Sequence, residues 1–330
     1  MTEGLLILYY EPSEQGDYDK AIDITDLVET LQLTTAMDAQ PGQATLNIIS
    51  DNLEYTMGAC IQILDGDEGI FTGYIFTVSM DNGEKIQITA LDQSRYLKNQ
   101  DTFVFSEAMT VDALFKQLCN DWRLQMGQVD ASSFSCKPSI HEGRSLWDVI
   151  DSYCEETFVG TGKLYMVRDN FGKLELRDVE NLHTGLRIDD ISIIQKYRYE
   201  VSIDKNTFNQ IKIGKDSASK TERVWTIVKD STTIDQWGLL QYHKKFGEQT
   251  PSGQMQDYAE KLLKAYNKHT QTLTLDCFGD FRVRAGSGIQ IQLDAFKSTA
   301  DNQNYIVKSC THVIKNKQHQ MQLELAMDRV

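Results

Sequence analysis

The chain has 330 residues, of which 41% are hydrophobic and 25% charged, and its formal net charge at pH 7 is −15. The length is sufficient for two or three units with substantial cores, and the composition is typical of a globular protein. The acidic excess argues against specific nucleic-acid binding, since that affinity depends on phosphate neutralisation by Lys and Arg. No apolar run approaches the roughly 20 residues of a membrane helix, and no secretory signal is visible. We therefore expect a protein assembled in the cytoplasm, with no membrane partner.

Residues 1–100 are predicted to be β. Turn signals, including Asp81-Asn82-Gly83, separate short segments in which apolar and polar residues alternate. The first segment covers residues 21–37 and alternates at Ile22, Ile24, Leu27, Leu31 and Leu33. The later segments read ATLNIIS, CIQIL, FTGYIFTVSM and KIQITALD. This pattern favours an antiparallel barrel or sandwich.

Residues 101–190 are predicted to form a small α+β unit. The period changes to that of a helix in TVDALFKQLCNDWRL, with Thr110 as a candidate N-cap. A second helix, SLWDVIDSYCEET, begins at a capping-box pair, Ser145 and Asp148. The segments GKLYMVRD and KLELRD, joined by the turn NFG, then indicate a hairpin. The helices are expected to cover a sheet.

The remainder of the chain returns to strands. Residues 191–240 are predicted to be β-rich, with strands in ISIIQKYRYEVSI, FNQIKIG and RVWTIVKD. Residues 241–330 contain the polar loop GEQTPSG, residues 247–253, and then the helix QMQDYAEKLLKAYNKHT. Four strand-like segments follow: QTLTLDCF, GSGIQIQLDAF, NYIVKSCTHVI and HQMQLELAM. The fold class expected is mainly β with α+β insertions.

The two β-rich ends of the chain share an order of elements. In each, a Gly precedes Ile-Gln-Ile, a Tyr-Ile strand follows, and a hairpin leads to a strand ending Ala-x-Asp. The first end contributes Gly58, Ile61, Ile63, Tyr74, Ile75, Ala90 and Asp92 to this alignment, and the second contributes Gly286, Ile289, Ile291, Tyr305, Ile306, Ala326 and Asp328. The repeat predicts two similar barrels with these Ile side chains inward, and Gln62 and Gln290 on the other face.

Three stretches carry a family resemblance. They are AIDITDLVETLQLTTAMDAQPGQATLNI, GRSLWDVIDSYCEETFVGTGKLYMVRDNFGKLELRD, and GSGIQIQLDAF with NYIVKSCTHVIKNKQHQMQLELAM. The chain resembles the tail hub proteins of contractile injection systems. These include the late control protein D family of phage baseplates, the prophage-type hubs of Gram-positive bacteria and their phage-tail-like bacteriocins, and the head of type VI secretion spike proteins. The resemblance covers nearly the whole chain, and its middle stretch is the most specific.

The resemblance implies a structural protein and not an enzyme. In that family two tube-like antiparallel β-barrels flank small α+β domains. The hub is a homotrimer whose six barrels form a pseudo-hexameric ring between the hexameric tail tube and the trimeric central spike. The tail tube protein, the spike protein and other baseplate proteins are therefore the expected partners, in the baseplate of a virion tail or tail-like particle. Because the sequence ends soon after the second barrel, the spike and any lytic domain are expected to be separate chains.

Motifs for catalysis or metal binding are weak. The histidines, including His312 and His319 on one predicted hairpin, lack the local spacing of metal sites, and the six scattered cysteines lack C-x-x-C. Carboxylate pairs such as Glu155-Glu156 and Asp189-Asp190 arise easily in an acidic chain, and no glycine run has a phosphate-binding spacing. The cluster KYRYE, residues 196–200, fits a solvated sheet face better than base stacking. We predict no catalytic residue, cofactor or metal.

Two other functions stay open. The chain could be a cell-wall hydrolase of the same particle, which clearing of peptidoglycan by the isolated protein would show. It could also be a carbohydrate-binding module, which selective binding to a glycan array would show. The acidity adds an expectation for a hub, namely that the wall of a central channel is acidic or neutral.

Overall fold

The structure is a computed structural model that describes residues 4–12, 20–49, 53–81, 85–189, 194–204, 206–216, 223–246, 252–292 and 303–327. The fold is mainly β, as expected. The strands before the first helix are β1 (Leu5–Tyr10), β2 (Ile22–Asp23), β3 (Val28–Ala36), β4 (Gln43–Ile49), β5 (Cys60–Asp65), β6 (Glu68–Asp81), β7 (Lys85–Leu91), β8 (Gln100–Phe105) and β9 (Met109–Thr110). The helices are α1 (Val111–Asp121), α2 (Leu146–Thr161), α3 (Ser231–Trp237) and α4 (Ser252–Tyr266).

The other strands lie between and after these helices. They are β10 (Met126–Val129), β11 (Ser135–Cys136), β12 (Ser139–Ser145), β13 (Tyr165–Asn170), β14 (Lys173–Asp178), β15 (His183–Asp189), β16 (Ile194–Ser202), β17 (Gln210–Asp216), β18 (Arg223–Lys229), β19 (Gln241–Phe246), β20 (Thr270–Phe278), β21 (Gly288–Gln292), β22 (Gln303–Lys315) and β23 (Gln318–Met327).

One sheet contains strands from both ends of the chain. Its order is β16-β20-β23-β22-β3-β4-β7-β6-β5-β1-β2, and β21 and then β15 lie beside β22. The N-terminal and C-terminal halves meet where β22 pairs with β3. In the described residues, strand pairing closes neither half into a barrel.

The two halves of this sheet have the same strand order. The series β3-β4-β7-β6-β5 in the first half matches β16-β20-β23-β22-β21 in the second, and all neighbours are antiparallel. The register irregularities also match. β6 shifts between Ile75 and Thr77 and β22 between Val307 and Ser309, while β3 and β16 each shift after their first residue. Such bulges are specific features of a strand, so the repeat is structural.

The register corrects the alignment read from the sequence. Gly58 and Gly286 are equivalent, because the first donates its N–H to Ile75 O and the second to Val307 O, at 2.9 and 2.8 Å. Ile75 therefore corresponds to Val307, and not to Ile306. The aligned pairs Tyr74 with Tyr305 and Ala90 with Ala326 are likewise wrong by one residue.

The reason for the error is that a shift of one residue reverses the face on which every side chain lies. Tyr305 is buried whereas Tyr74 is half-buried, so matching letters occupy opposite faces. The pairs of Ile61 with Ile289 and Ile63 with Ile291 are confirmed as buried equivalents. Asp328 lies outside the described residues.

The α+β unit has the predicted helices. Thr110 caps α1 by accepting a hydrogen bond from Ala113 N, and Ser145 and Asp148 form a capping box at the start of α2. α2 continues to Thr161, one turn beyond the predicted helix, and ends at Gly162 in the left-handed conformation. Both helices and the predicted hairpin, β13 and β14, contribute to one core. None of the described helices has both the length and the apolar character to cross a membrane.

Some local predictions were wrong. The first predicted strand is interrupted by a 3-10 turn at Thr25–Leu27, where the Thr25 hydroxyl accepts a hydrogen bond from Ile7 N at 2.8 Å. The helix α3 was not predicted, because STTIDQW is short and polar; the Asp230 side chain caps it. The hairpin turn at Asn82-Gly83 lies outside the described residues, as does most of GEQTPSG.

Substitution of the two equivalent glycines, Gly58 and Gly286, is expected to lower stability by unequal amounts. Both have positive φ, 81° at Gly58 and 84° at Gly286. A Cβ at Gly58 would meet no atom within 4 Å, whereas one at Gly286 would lie 2.2 Å from Sδ of buried Met166. Gly58→Ala is expected to cost about 1 kcal/mol from backbone strain alone, and Gly286→Ala roughly 2–4 kcal/mol because overpacking adds to strain.

Urea unfolding measures the difference in free energy of unfolding. Gly253→Ala is the control, because that glycine lies in α4 with open space around its Cβ position and no positive φ. An equal loss at Gly58 and Gly286 would contradict the proposed contact with Met166.

Candidate functional site

Most of the titratable residues that the sequence offers as candidates for catalysis or metal binding lie apart in the structure. Glu155 accepts hydrogen bonds from Lys244 Nζ at 3.1 Å and from the Tyr242 hydroxyl at 3.3 Å, which ties α2 to β19. The described part of the chain holds no group of three or more His, Cys, Asp or Glu residues able to bind a metal. All six cysteines are buried and free. Asp190 lies outside the described residues. The absence of catalytic, cofactor and metal sites stays a prediction.

Two of the histidines do lie together. His312 Nδ1 is 2.9 Å from His319 Nε2, while His312 Nε2 lies 2.8 Å from Val283 O and 3.1 Å from Cys310 Sγ. Burial lowers the pKa of both imidazoles to about 4, and for His312 the neighbouring His319 lowers it further. The pair is therefore neutral at pH 7 and fills the space between β22, β23 and the ring of Phe281.

The seam between the two halves is the pairing of β3 with β22. It runs antiparallel from Thr30 opposite Lys315 to Ala36 opposite Ser309. On one face Thr34 Oγ1 and Thr311 Oγ1 are 3.3 Å apart, within hydrogen-bond distance. On the other face Ile314 of the C-terminal strand is buried in the hydrophobic core of the N-terminal half. Backbone pairing and apolar packing thus make one sheet from the two ends.

The sheet around the seam has one apolar and one polar face. Core residues alternate along every strand with side chains that carry hydroxyl or amide groups and are half-buried or exposed. On β6, β7, β4, β3, β22 and β23 these are Thr77, Ser79, Gln87, Thr89, Gln43, Thr45, Asn47, Thr30, Gln32, Thr34, Thr311, Gln320 and Gln322. We call this set the polar face. Its members bond to each other, as when Gln87 Nε2 donates to Asn47 Oδ1 at 3.0 Å.

The polar face stands out because the chain is acidic. Its thirteen side chains carry only hydroxyl and amide groups and are therefore uncharged, whereas the whole chain has 48 Asp and Glu. Charged residues on the same side of the sheet include Glu324, which follows Gln322 on β23, and the ion pair of Arg198 with Glu200 on β16 at 2.8 Å. Another ion pair, Lys85 with Glu29 at 3.1 Å, lies at the margin. The thirteen side chains of the polar face themselves neither attract nor repel a polyanion strongly.

The α+β unit is attached where the two halves meet. Arg284, in the segment before β21, donates to the backbone oxygen of Asp169 and to Asn170 Oδ1 at 3.5 Å. Asp92, at the end of β7, accepts from Gly42 N at 2.9 Å and lies close to Asp169. Burial, and then the proximity of Asp169, raise the pKa of the Asp92 carboxyl. Burial lowers the pKa of Arg284 to about 10.

Comparisons with known proteins agree with this architecture. The phage-like element PBSX protein XkdQ of Bacillus subtilis strain 168 is 24% identical over 265 residues, which cover 78% of this chain and 77% of XkdQ. The 43 kDa tail protein of prophage MuSo2 from Shewanella oneidensis superposes with a TM-score of 0.68 at 12% identity, covering 97% of this chain and 98% of that one. A tail protein from Neisseria meningitidis MC58 gives a TM-score of 0.69 at 14% identity, covering 98% and 97%.

The class that the fold defines is therefore that of the tail proteins with which the chain superposes. A family model supplies the narrower assignment. The YQBQ-like family matches residues 31–326, so the chain belongs to that family.

The histidine pair predicts a stability that falls in mild acid. In the unfolded chain each histidine titrates near its ordinary pKa of 6.5, whereas in the folded protein the pKa is about 4. The unfolded state therefore binds more protons between pH 6.5 and 4, and folding stability falls by up to about 1.4 kcal/mol per pH unit for each histidine.

The test compares urea unfolding of the wild type and His319→Gln from pH 7.5 to 4.5. The variant is expected to show a shallower loss, and His243→Gln, at an exposed site on β19, to follow the wild type. The buried Asp92 and Asp169 have raised pKa values and act with the opposite sign, but they are present in all three proteins. If the free energy of unfolding of the wild type and of His319→Gln fell in parallel with pH, the assignment of the pH dependence to the histidine pair would be contradicted.

Two neighbouring arginines are expected to contribute unequally to the free energy of unfolding. Arg284 holds the junction with the α+β unit, whereas Arg282 is exposed and pairs with Asp280. Arg284→Gln is expected to lower the free energy of unfolding by roughly 2–4 kcal/mol, because it leaves buried carboxyl groups without their cation. Arg282→Gln is the matched control and should change little. Equal urea midpoints for the two variants would refute the role of Arg284.

Proposed function

We propose that this protein is the hub of a contractile phage tail or tail-like particle, a homotrimer that joins the hexameric tail tube to the trimeric central spike. The observation that carries the proposal is the repeated strand order of the two halves, with its matched bulges. Each half would be a tube-like β-barrel, with residues 1–100 in the first, and residues 241–330 together with β16 of the β-rich segment of residues 191–240 in the second. The α+β domain of residues 101–190 lies between them in sequence.

The repeat gives a physical reason for a trimer. Three chains that each carry two similar units present six similar surfaces around one axis, while the rest of each chain repeats only three times. A ring of this kind matches six tube subunits on one side and three spike subunits on the other. The partners of the hub are thus the tube protein, the spike protein and further baseplate proteins.

The polar face supports this assignment. A ring made from these sheets has an inner wall, and the neutral hydroxyl and amide side chains of residues such as Thr45, Gln87 and Thr311 suit a wall that must not retain a passing polyanion. The sequence predicts a channel wall that is acidic or neutral, and the polar face fits the neutral alternative. The mechanism proposed is mechanical, since position and force pass through the ring and no bond is made or broken.

Co-expression with the tube and spike proteins of the same particle tests the proposal. We expect native mass spectrometry to give three copies of the chain in the complex, and electron microscopy to give a ring whose channel wall carries the polar face. The isolated chain should leave peptidoglycan intact in a zymogram. A protein that stays monomeric with both partners, or that clears peptidoglycan, would refute the proposal.

A further inference from the structure

Two edges of the shared sheet have no strand beside them in the described residues, although the equivalent edges in the other half do. The first is the outer edge of β16, whose equivalent β3 pairs with β22. The second is the latter part of β6, residues 77–81, which pairs with β7 on one side only. Its equivalent, residues 309–313, pairs with both β23 and β3.

The matched registers identify which residues of the two halves are equivalent. Thr30 and Lys196 each follow the bulge of their strand, so Leu33 of β3 corresponds to Tyr199 of β16. Thr77 and Ser309 each follow the other bulge, so His312 of β22 corresponds to Met80 of β6. In the seam, His312 lies opposite Leu33.

We propose that β16 of one copy of this chain pairs antiparallel with residues 77–81 of the next copy, in the register of the internal seam. Val78 then lies opposite Val201 of the neighbouring copy, Ser79 opposite Glu200, and Met80 opposite Tyr199. The pairing rests on the proposed function only in that it would be the contact between neighbouring subunits of the ring.

The exposed side chains support a second copy as the occupant. Met80 is 71% exposed, Val201 53% and Tyr199 38%. The positions in the seam that correspond to Tyr199 and Met80 are Leu33 and His312, which are both 5% exposed. The apolar residues of the two edges therefore lie on the side that the internal seam buries.

The polar side of the proposed interface is also complementary. The seam has Thr34 and Thr311 opposite each other with their hydroxyl oxygens 3.3 Å apart. The corresponding pair is Ser79 and Glu200, in which a hydroxyl donates to a carboxylate. A strand edge that meets a matching edge satisfies its backbone groups, and edges left without a strand promote association. Because the two edges are different surfaces of one chain, the contact is head-to-tail and generates a ring or an open helix.

Cysteine pairs test the register. The double variant Ser79→Cys with Glu200→Cys should form an intermolecular disulfide under mild oxidation, because directly opposed residues in antiparallel strands meet the Cα separation that a disulfide needs. Ser79→Cys with Arg198→Cys, and Ser79→Cys with Ser202→Cys, are the controls. Their second residue lies on the same face but two positions away, at the longer diagonal distance.

The chain offers a positive control in the seam itself. Thr34→Cys with Thr311→Cys should form the equivalent bridge within one chain. The native cysteines are buried, and burial raises the pKa of thiols such as Cys60 and Cys277 to about 12, so they compete little as thiolates.

Denaturing gels and native mass of the full-length protein separate the outcomes. A ladder that stops at three chains, formed at least tenfold faster by the 79/200 pair than by the controls, supports both the pairing and the trimer. A ladder that continues beyond three supports the pairing and contradicts the trimer. Trimers without a 79/200 bridge, or with a faster control pair, overturn the pairing and leave the trimer. A protein that remains monomeric overturns the pairing.

Charge substitution provides a second readout that does not depend on oxidation. Met80→Lys and Val201→Lys should each weaken self-association at least tenfold, with an unchanged urea midpoint, because both side chains are more than half exposed in one chain. Val104→Lys and Ile140→Lys are the matched controls, since these apolar residues are 65% and 66% exposed on β8 and β12. Equal effects at all four sites would overturn the pairing.

Discussion

The fold depends on the antiparallel pairing of residues 30–36 with residues 309–315. This seam makes one sheet of strands that are nearly the whole chain apart, and it buries Ile314 in the N-terminal core. Beyond its last pair, Met37 N donates to Lys308 O at 2.9 Å. Closing so long a loop costs entropy that rises only slowly with length, but contacts this distant in sequence slow folding. We therefore expect each half to gain its own core before the seam forms.

The seam also determines where the α+β unit lies. Thr35, on the edge of the seam, accepts a hydrogen bond from Ala285 N at 3.0 Å. Next to it, Gln93 donates to Gln125 O at 3.0 Å and to Gly172 O at 2.9 Å. Both halves therefore contact the α+β unit close to the line along which they contact each other. A displacement of either half would therefore disturb all three units together.

Sequence patterns predicted local structure better than its assembly. The caps at Thr110 and Ser145 depend on nearby residues, and both were predicted. The seam was not, because a strand that alternates like β3 can pair with any other strand of the same pattern. The repeat was recognised from the order of its elements, yet Tyr74 and Tyr305 were matched one residue out of register, since only backbone pairing distinguishes neighbouring positions. The polar face was missed for a related reason: its threonines and glutamines look like ordinary solvated positions until the sheet brings them together.

The differences between the two halves are as informative as their likeness. At the internal seam the first strand presents Leu31 and Leu33, which are buried as the chain folds. At the corresponding positions of β16 the chain has Tyr197 and Tyr199, which are exposed in a single copy. Tyrosine combines a large apolar ring with a hydroxyl that water can solvate, so such a strand tolerates exposure until another surface covers it. In the proposed ring the two kinds of junction share one register but form at different times, one during folding and the other during assembly. In that ring the repeat would give both junctions the same backbone geometry, while the side chains would differ because one junction forms within a chain and the other only when a second copy binds.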